Sequence, residues 1–193
     1  MPFPTSERSS DWYLYKYAVT PLATRLCDKV HPNWLTITNI ALIWPIAYLL
    51  LSPRIPWPWF VVAIIVHFYL DCLDGEIARR CNEQSKLGGM LDITGDAIYY
   101  TVLGIIVMYN ILTKRIARMS IYCVLTSIIA MGVSALMIVS HVRHVVREIA
   151  GKRSTRQVYF EGRFSDPERF FHDNGVVWSI VYALLLVVSV RAC

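Results

Sequence analysis

Five stretches of this 193-residue chain are apolar for about the length of a helix that crosses a bilayer, and a chain built that way has few ways to fold. The hydrocarbon core offers no water, so every backbone N–H and C=O in such a stretch needs a partner within the protein. Helices supply that partner within their own segment. The stretches run from about Asn33 to Leu51, Trp57 to Arg80, Gly88 to Ile111, Ile116 to Ser140 and Gly175 to Val190, with Pro45 a point of expected kinking in the first. Composition agrees: 55% of residues are hydrophobic and 17% charged, against about a quarter charged in a soluble domain. The expected fold is therefore an all-α integral membrane protein, a single domain over residues 1–193 with five transmembrane helices.

The segments between the runs are informative too. Residues 10–29, "SDWYLYKYAVTPLATRLCDK", interleave aromatic and basic side chains and suit an amphipathic helix lying in the membrane interface. Nothing in "MPFPTSERSSDWYLYKY" resembles a cleaved leader, so the N-terminus is expected to be retained. Residues 141–173 are too polar to span and read as an extension of the fourth helix followed by a cytoplasmic loop. Of the 19 lysines and arginines, 14 fall on one side of the five-span topology and 5 on the other. By the excess of basic residues on cytoplasmic loops, the richer side faces the cytoplasm. The net charge of +5 then matches anionic lipid head groups, and no basic-aromatic motif points to nucleic acid. Five scattered cysteines (27, 72, 81, 123, 193) form no CxxC pair, and reduced thiols are expected, with no disulfide framework and no zinc site.

One segment conflicts with a lipid environment: "DCLDGEIARRCNEQSKLGGMLDITGD", Asp71 to Asp96, at the turn between the second and third runs. At about 100° per residue, Asp71, Asp74, Gly75 and Ala78 share an arc of roughly 100° on one helix face. Gly88, Asp92 and Asp96 follow at i, i+4 and i+8 on the next helix, so that four carboxylates converge at the cytoplasmic end of a helical hairpin. Such a cluster is unfavourable unless compensated, and hard divalent cations compensate it. The small residues Gly75, Ala78, Gly88 and Gly89 leave room for a ligand near the backbone, and Arg79 can reach a diphosphate oxygen.

Written out, Asp71-x2-Asp74-Gly75-x2-Ala78-Arg79-x8-Gly88-x3-Asp92-x3-Asp96 resembles the signature of the CDP-alcohol phosphotransferase (phosphatidyltransferase) family, in particular its small CDP-diacylglycerol-dependent phospholipid synthases. "HPNWLT", His31 to Thr36, resembles the Pro-Asn-x-x-Thr that many members carry before the first span. The detailed resemblance covers Pro32 to Asp96. It implies transfer of a phosphatidyl group from a CDP-alcohol to the hydroxyl of a small alcohol such as inositol, serine or glycerol 3-phosphate, with release of CMP. It also implies two divalent ions, Mg²⁺ or Mn²⁺, held by Asp71, Asp74, Asp92 and Asp96, with Asp96 also the general base. Asn33, Thr36, Gly75, Ala78, Arg79 and Gly88 would form the CDP site. Members of this size usually have six spanning helices where five are legible here; a homodimer is among the partners the family suggests.

The acceptor is less legible. Arg143 and Arg147, at i, i+4 on the extension of the fourth helix, could hold a phosphorylated acceptor, or could simply be the basic flank of a span. His141, His144 and His172 read as surface histidines and not as metal ligands. Two other readings stay open: transfer from CDP-choline or CDP-ethanolamine to diacylglycerol, and a cation transporter that uses the aspartates as its path.

Overall fold

The computed structural model describes residues 9–114, 120–149 and 174–192, and among them every regular element is helical. The N-terminal segment comprises α1 (Ser10–Leu14), a π-helical stretch (Tyr15–Val19) and α2 (Thr20–Leu26). Four long helices follow: α3 (Pro32–Leu51), α4 (Trp57–Arg80), α5 (Lys86–Lys114) and α6 (Ile121–Ile149). The last is α7 (Gly175–Val187), prolonged by a π turn over Val188–Ala192. Three segments, Pro32–Leu51, Lys86–Thr113 and Ile121–Val139, are long and apolar enough to cross a membrane, and the apolar helix Gly175–Arg191 is shorter. In α4 the charged residues are confined to the last ten positions, Asp71 to Arg80. Helix α3 continues through Pro45. Trp44, Ile105, Ile128 and Leu136 are all more than half exposed, an apolar exterior suited to lipid.

Two apolar clusters hold the bundle. Ile43, Ile46 and Leu50 of α3 meet Phe60 and Ile64 of α4, Leu103 and Val107 of α5, Ala130 of α6 and Leu186 of α7. On the other cluster, Tyr15, Val19 and Ala23 pack against Cys72, Leu73 and Ile77 of α4. The buried residues of the N-terminal segment, Asp11, Tyr15, Val19 and Ala23, recur every four positions. In an α-helix of 3.6 residues per turn that spacing drifts around the axis, and the wider π turn at Tyr15–Val19 keeps the row facing α4.

Polar contacts close the ends. Arg191 donates to the carbonyls of Leu49, Leu50, Ser52 and Ile55, satisfying the open end of α3 and its connection to α4. The expectation of reduced thiols needs correcting. Cys27, the C-cap of α2, and Cys81, the C-cap of α4, form a disulfide with Cα atoms 5.5 Å apart. Cys123 is also disulfide-bonded, and Cys72 is a buried free thiol. Spacing could not show the Cys27–Cys81 pair, because 54 residues separate the two and only the docking of the N-terminal segment on α4 joins them. Each of these cysteines precedes a residue in the left-handed region, Asp28 (φ 64°) and Asn82 (φ 56°), types that tolerate it at a helix end.

The N-terminal segment also reaches the far end of the chain. The Asp11 carboxylate accepts hydrogen bonds from the backbone N–H of Gly175 (2.9 Å) and Val176 (3.0 Å), the first two residues of α7. A Cβ at Gly175 would lie 2.9 Å from that carboxylate and 2.8 Å from the Phe68 ring, so the approach requires glycine. An anion at a helix N-terminus meets unsatisfied donors and the positive end of the helix dipole. Asp11→Ala is therefore expected to cost roughly 0.5–2 kcal/mol, read as a lowered Tm in detergent with helical content retained; an unchanged Tm would show the cap to be energetically idle.

Candidate active site

The hairpin of α4 and α5 carries the aspartates, and α3 packs against both. Asp71 and Asp74 come from the second half of α4 and Asp92 from the second turn of α5. One carboxylate oxygen from each lies within 4.8 Å of the others. Asp96 is one turn further along α5, outside that trio but within electrostatic reach of Asp71. Asp74 is buried, at 4% exposure, and accepts a 2.7 Å hydrogen bond from the Thr36 hydroxyl of α3. That contact fixes the rotamer of one carboxylate and ties the first long helix to the hairpin. Three carboxylate oxygen donors at this spacing suit a hard divalent cation such as Mg²⁺ or Mn²⁺.

Beside the carboxylates is a cleft of about 270 Å³. Its walls include Asn33 and Thr36 from α3, Asp74, Gly75, Ala78 and Arg79 from α4, and Gly88 and Asp92 from α5. All six residues expected at a CDP site thus gather around one opening with two of the expected metal ligands. Two of the glycines have visible steric reasons. A Cβ at Gly75 would meet Arg79 Nη1 at 2.9 Å, and one at Gly88 would meet Asn33 Oδ1 at 2.8 Å. The Ser85 hydroxyl accepts the Gly88 N–H at 2.9 Å and starts α5 at the rim of the cleft.

Arg79 is held from behind. Its Nε and Nη2 donate to Glu76 Oε2 at 3.1 and 2.9 Å, and Nη2 also reaches the Tyr15 hydroxyl at 3.5 Å. Glu76, 4% exposed, accepts from Arg80 Nε at 2.6 Å and from Thr20 Oγ1 at 3.1 Å as well.

Several residues near the site carried no signal in the motif. His67 lies one turn before Asp71, is buried, and stacks on Tyr99 with ring centroids 4.3 Å apart. An ionisable residue inside an apolar helix four positions before a motif aspartate was the available clue. Glu83, Gln84 and Ser85 line the cleft from the connection between α4 and α5, where no periodicity applies. Arg143 and Arg147 lie on the described backbone of α6, with side chains outside the described residues. Gly104 packs against Ser134, and the antiparallel register of α5 and α6 from that contact places Arg143 level with Gly95 and Arg147 level with Leu91, on the aspartate stretch of α5. Residues 150–173, including His172, Lys152, Arg153 and Arg156, lie outside the described residues, as do the side chains of His141 and His144.

Similarity to known proteins runs through the same residues. The family model for CDP-alcohol phosphatidyltransferase matches residues 29–161. The chain is 26% identical over 199 residues to Inner membrane protein YnbA of Escherichia coli (strain K12), covering 99% of this chain and 90% of that one. It is 28% identical over 151 residues, 76% of each chain, to a Yersinia pestis protein named CDP-diacylglycerol–glycerol-3-phosphate 3-phosphatidyltransferase. It is 33% identical over 86 residues to a putative cardiolipin synthase of Mycobacterium bovis, 45% of this chain and 41% of the relative. No solved structure matches it. With the family's domain spanning more than half of the sequence and the signature residues gathered around one cleft, this chain belongs to the CDP-alcohol phosphatidyltransferase family of membrane transferases.

Proposed function

We propose that this enzyme transfers a phosphatidyl group from CDP-diacylglycerol to the hydroxyl of a small polar alcohol, with glycerol 3-phosphate the leading candidate, and releases CMP. The observation that carries the reading is the single cleft joining Asn33, Thr36, Gly75, Ala78, Arg79 and Gly88 to Asp74 and Asp92. A transporter has no use for a cleft walled by small residues and an arginine at one end of the bundle, beside the carboxylates and not along a path through it. The acceptor is supported by the name of the Yersinia pestis relative and by the level of Arg143 and Arg147 along α5. Arginine matches the geometry of a phosphate in a way that an uncharged alcohol would not require. Neither the relatives nor the described residues support a homodimer, and the dimer forms no part of the proposal.

In the reaction, the acceptor oxygen forms a bond to the β-phosphorus while the bond from that phosphorus to the bridging oxygen breaks, and the electron pair leaves with CMP. Asp96, one turn beyond Asp92 on α5, takes the hydroxyl proton. Asp71, Asp74 and Asp92 would hold divalent cations, with Asp96 contributing to one, and bound cations there supply charge neutralisation for the diphosphate. Thr36 keeps Asp74 aimed at the site through its 2.7 Å hydrogen bond. Gly75 and Gly88 let the side chains of Arg79 and Asn33 lie close against the helix backbones at the cleft, with Arg79 turned to the diphosphate. Positioning and charge neutralisation are most of what phosphoryl transfer requires, so a site built mainly of carboxylates and glycines is sufficient.

The excess of basic residues supports a site on the cytoplasmic face, where nucleotide-activated lipids form. Cytoplasmic thiol pools hold such a pair reduced, so on this orientation the Cys27–Cys81 bond forms only upon oxidation.

Purified protein given labelled CDP-diacylglycerol, Mn²⁺ or Mg²⁺ and a panel of alcohols is expected to release CMP with glycerol 3-phosphate, and chelation of the metal to stop it. No metal-dependent CMP from any acceptor would end the proposal. Asp96→Asn is expected to lower kcat by about 10²–10⁴ with CDP binding retained, and an active variant would remove Asp96 as base. For orientation, single cysteines are placed at Arg54 and Gln84 in a background otherwise free of cysteine. An impermeant maleimide on intact cells is expected to label position 54 and spare position 84; the reverse pattern turns the protein over.

A further inference from the structure

We infer that Glu76, which lies outside the family signature and faces away from the cleft, is a positioning residue for nucleotide binding and links the N-terminal segment to the site through Arg79. The inference rests on the reading of the cleft as a CDP site.

Arg79 has three guanidinium nitrogens and the structure uses them unequally. Nε and Nη2 are held by Glu76 Oε2, and Nη2 also by the Tyr15 hydroxyl. Nη1 lies over Gly75, 2.9 Å from where a Cβ would stand, and hydrogen-bonds to none of the described residues. Two sides of the guanidinium are clamped, and the third is presented to the cleft that Arg79 lines. A planar donor fixed at two corners delivers its free corner to a phosphate with little loss of rotamer freedom on binding.

The clamp also prevents a competing arrangement. Asp74 and Asp92 line the same cleft as Arg79. An arginine without a partner of its own would be drawn to those carboxylates, where it would occupy the place of the nucleotide. Glu76 holds Arg79 instead because it sits one turn away on the same helix and accepts from two guanidinium nitrogens, Nε at 3.1 Å and Nη2 at 2.9 Å. Glu76 is itself oriented: Oε1 accepts from Arg80 at 2.6 Å and from Thr20 at 3.1 Å, leaving Oε2 for Arg79. Thr20 and Tyr15 belong to the N-terminal segment, so that segment stands behind Arg79 and Glu76 without lining the cleft itself.

The test measures CDP binding by calorimetry in detergent with Mg²⁺ for wild type, Glu76→Gln, Arg79→Lys and the double variant, and Mn²⁺ binding alone by electron paramagnetic resonance. Glu76→Gln is expected to weaken CDP about tenfold with Mn²⁺ affinity unchanged. The double variant is expected to bind CDP no more than about twofold worse than Arg79→Lys, because the two changes act through one contact. CDP affinity within twofold of wild type, additive losses, or a parallel loss of Mn²⁺ affinity would each overturn the assignment. If Glu76→Gln does not fold, Thr20→Val replaces it, with a loss of at least threefold in CDP affinity expected and an unchanged affinity overturning the link. Dependence of CDP binding on Glu76 without CMP release from wild type would leave this inference standing and remove the transferase reading instead.

Discussion

Negative charge is costly next to lipid, and most of this fold follows from the way four aspartates are accommodated there. Carboxylates on two adjacent helices repel unless something positive or hydrogen-bonding faces them. The chain answers with a third helix. Thr36 of α3 donates to Asp74, and α3 packs against both members of the hairpin, so the hydroxyl that orients one carboxylate of the cluster also ties together the first three long helices. The large apolar cluster of Ile43, Leu50, Phe60, Leu103 and Leu186 lies further along the same helices and holds the hairpin at a fixed separation. Site and scaffold are thereby one construction: the carboxylates gather only when the helices pack.

Features repeating along one helix were readable from the amino-acid order. The faces bearing Asp71, Asp74, Gly75 and Ala78, and Gly88, Asp92 and Asp96, follow from helical geometry, and the structure brings Asp71, Asp74 and Asp92 within 4.8 Å. Contacts between elements far apart in sequence were not readable. Cys27 meets Cys81, Thr20 meets Glu76 and Asp11 meets Gly175 because a segment expected to lie along the membrane also docks on α4. Its aromatic and basic residues do suggest an interface: Lys16 sits over the Trp12 ring at 4.4 Å on the outer side. Its inner row, buried every four residues, drifts by about 40° per step in an α-helix, and the π turn at Tyr15–Val19 takes up that drift, which amino-acid order alone does not show.

Glu76 shows how a motif can conceal what supports it. The residues between the fixed positions of a signature are easily taken as filler, yet here one such position holds two arginines and a threonine. The arginine that faces the ligand and the glutamate that aims it are three residues apart on the same helix, so both shift with any movement of α4. The N-terminal segment therefore meets the helix of the site twice, through Tyr15 and Thr20 at the level of Arg79 and, when oxidised, through the disulfide at the end of the same helix.

The contact between Asp11 and the start of α7 has a consequence for biogenesis. A membrane protein is inserted from its N-terminus onwards, and α7 is made after the other described helices. Until Gly175 and Val176 emerge, the Asp11 carboxylate lacks their two backbone donors. The N-terminal segment is made before the other described helices and secured only after them. Because Tyr15 and Thr20 on that segment stand behind Arg79, the proposed nucleotide cleft would gain the support behind its arginine only once α7 is in place. A nascent chain would then carry its aspartates in the membrane well before it could hold a nucleotide beside them.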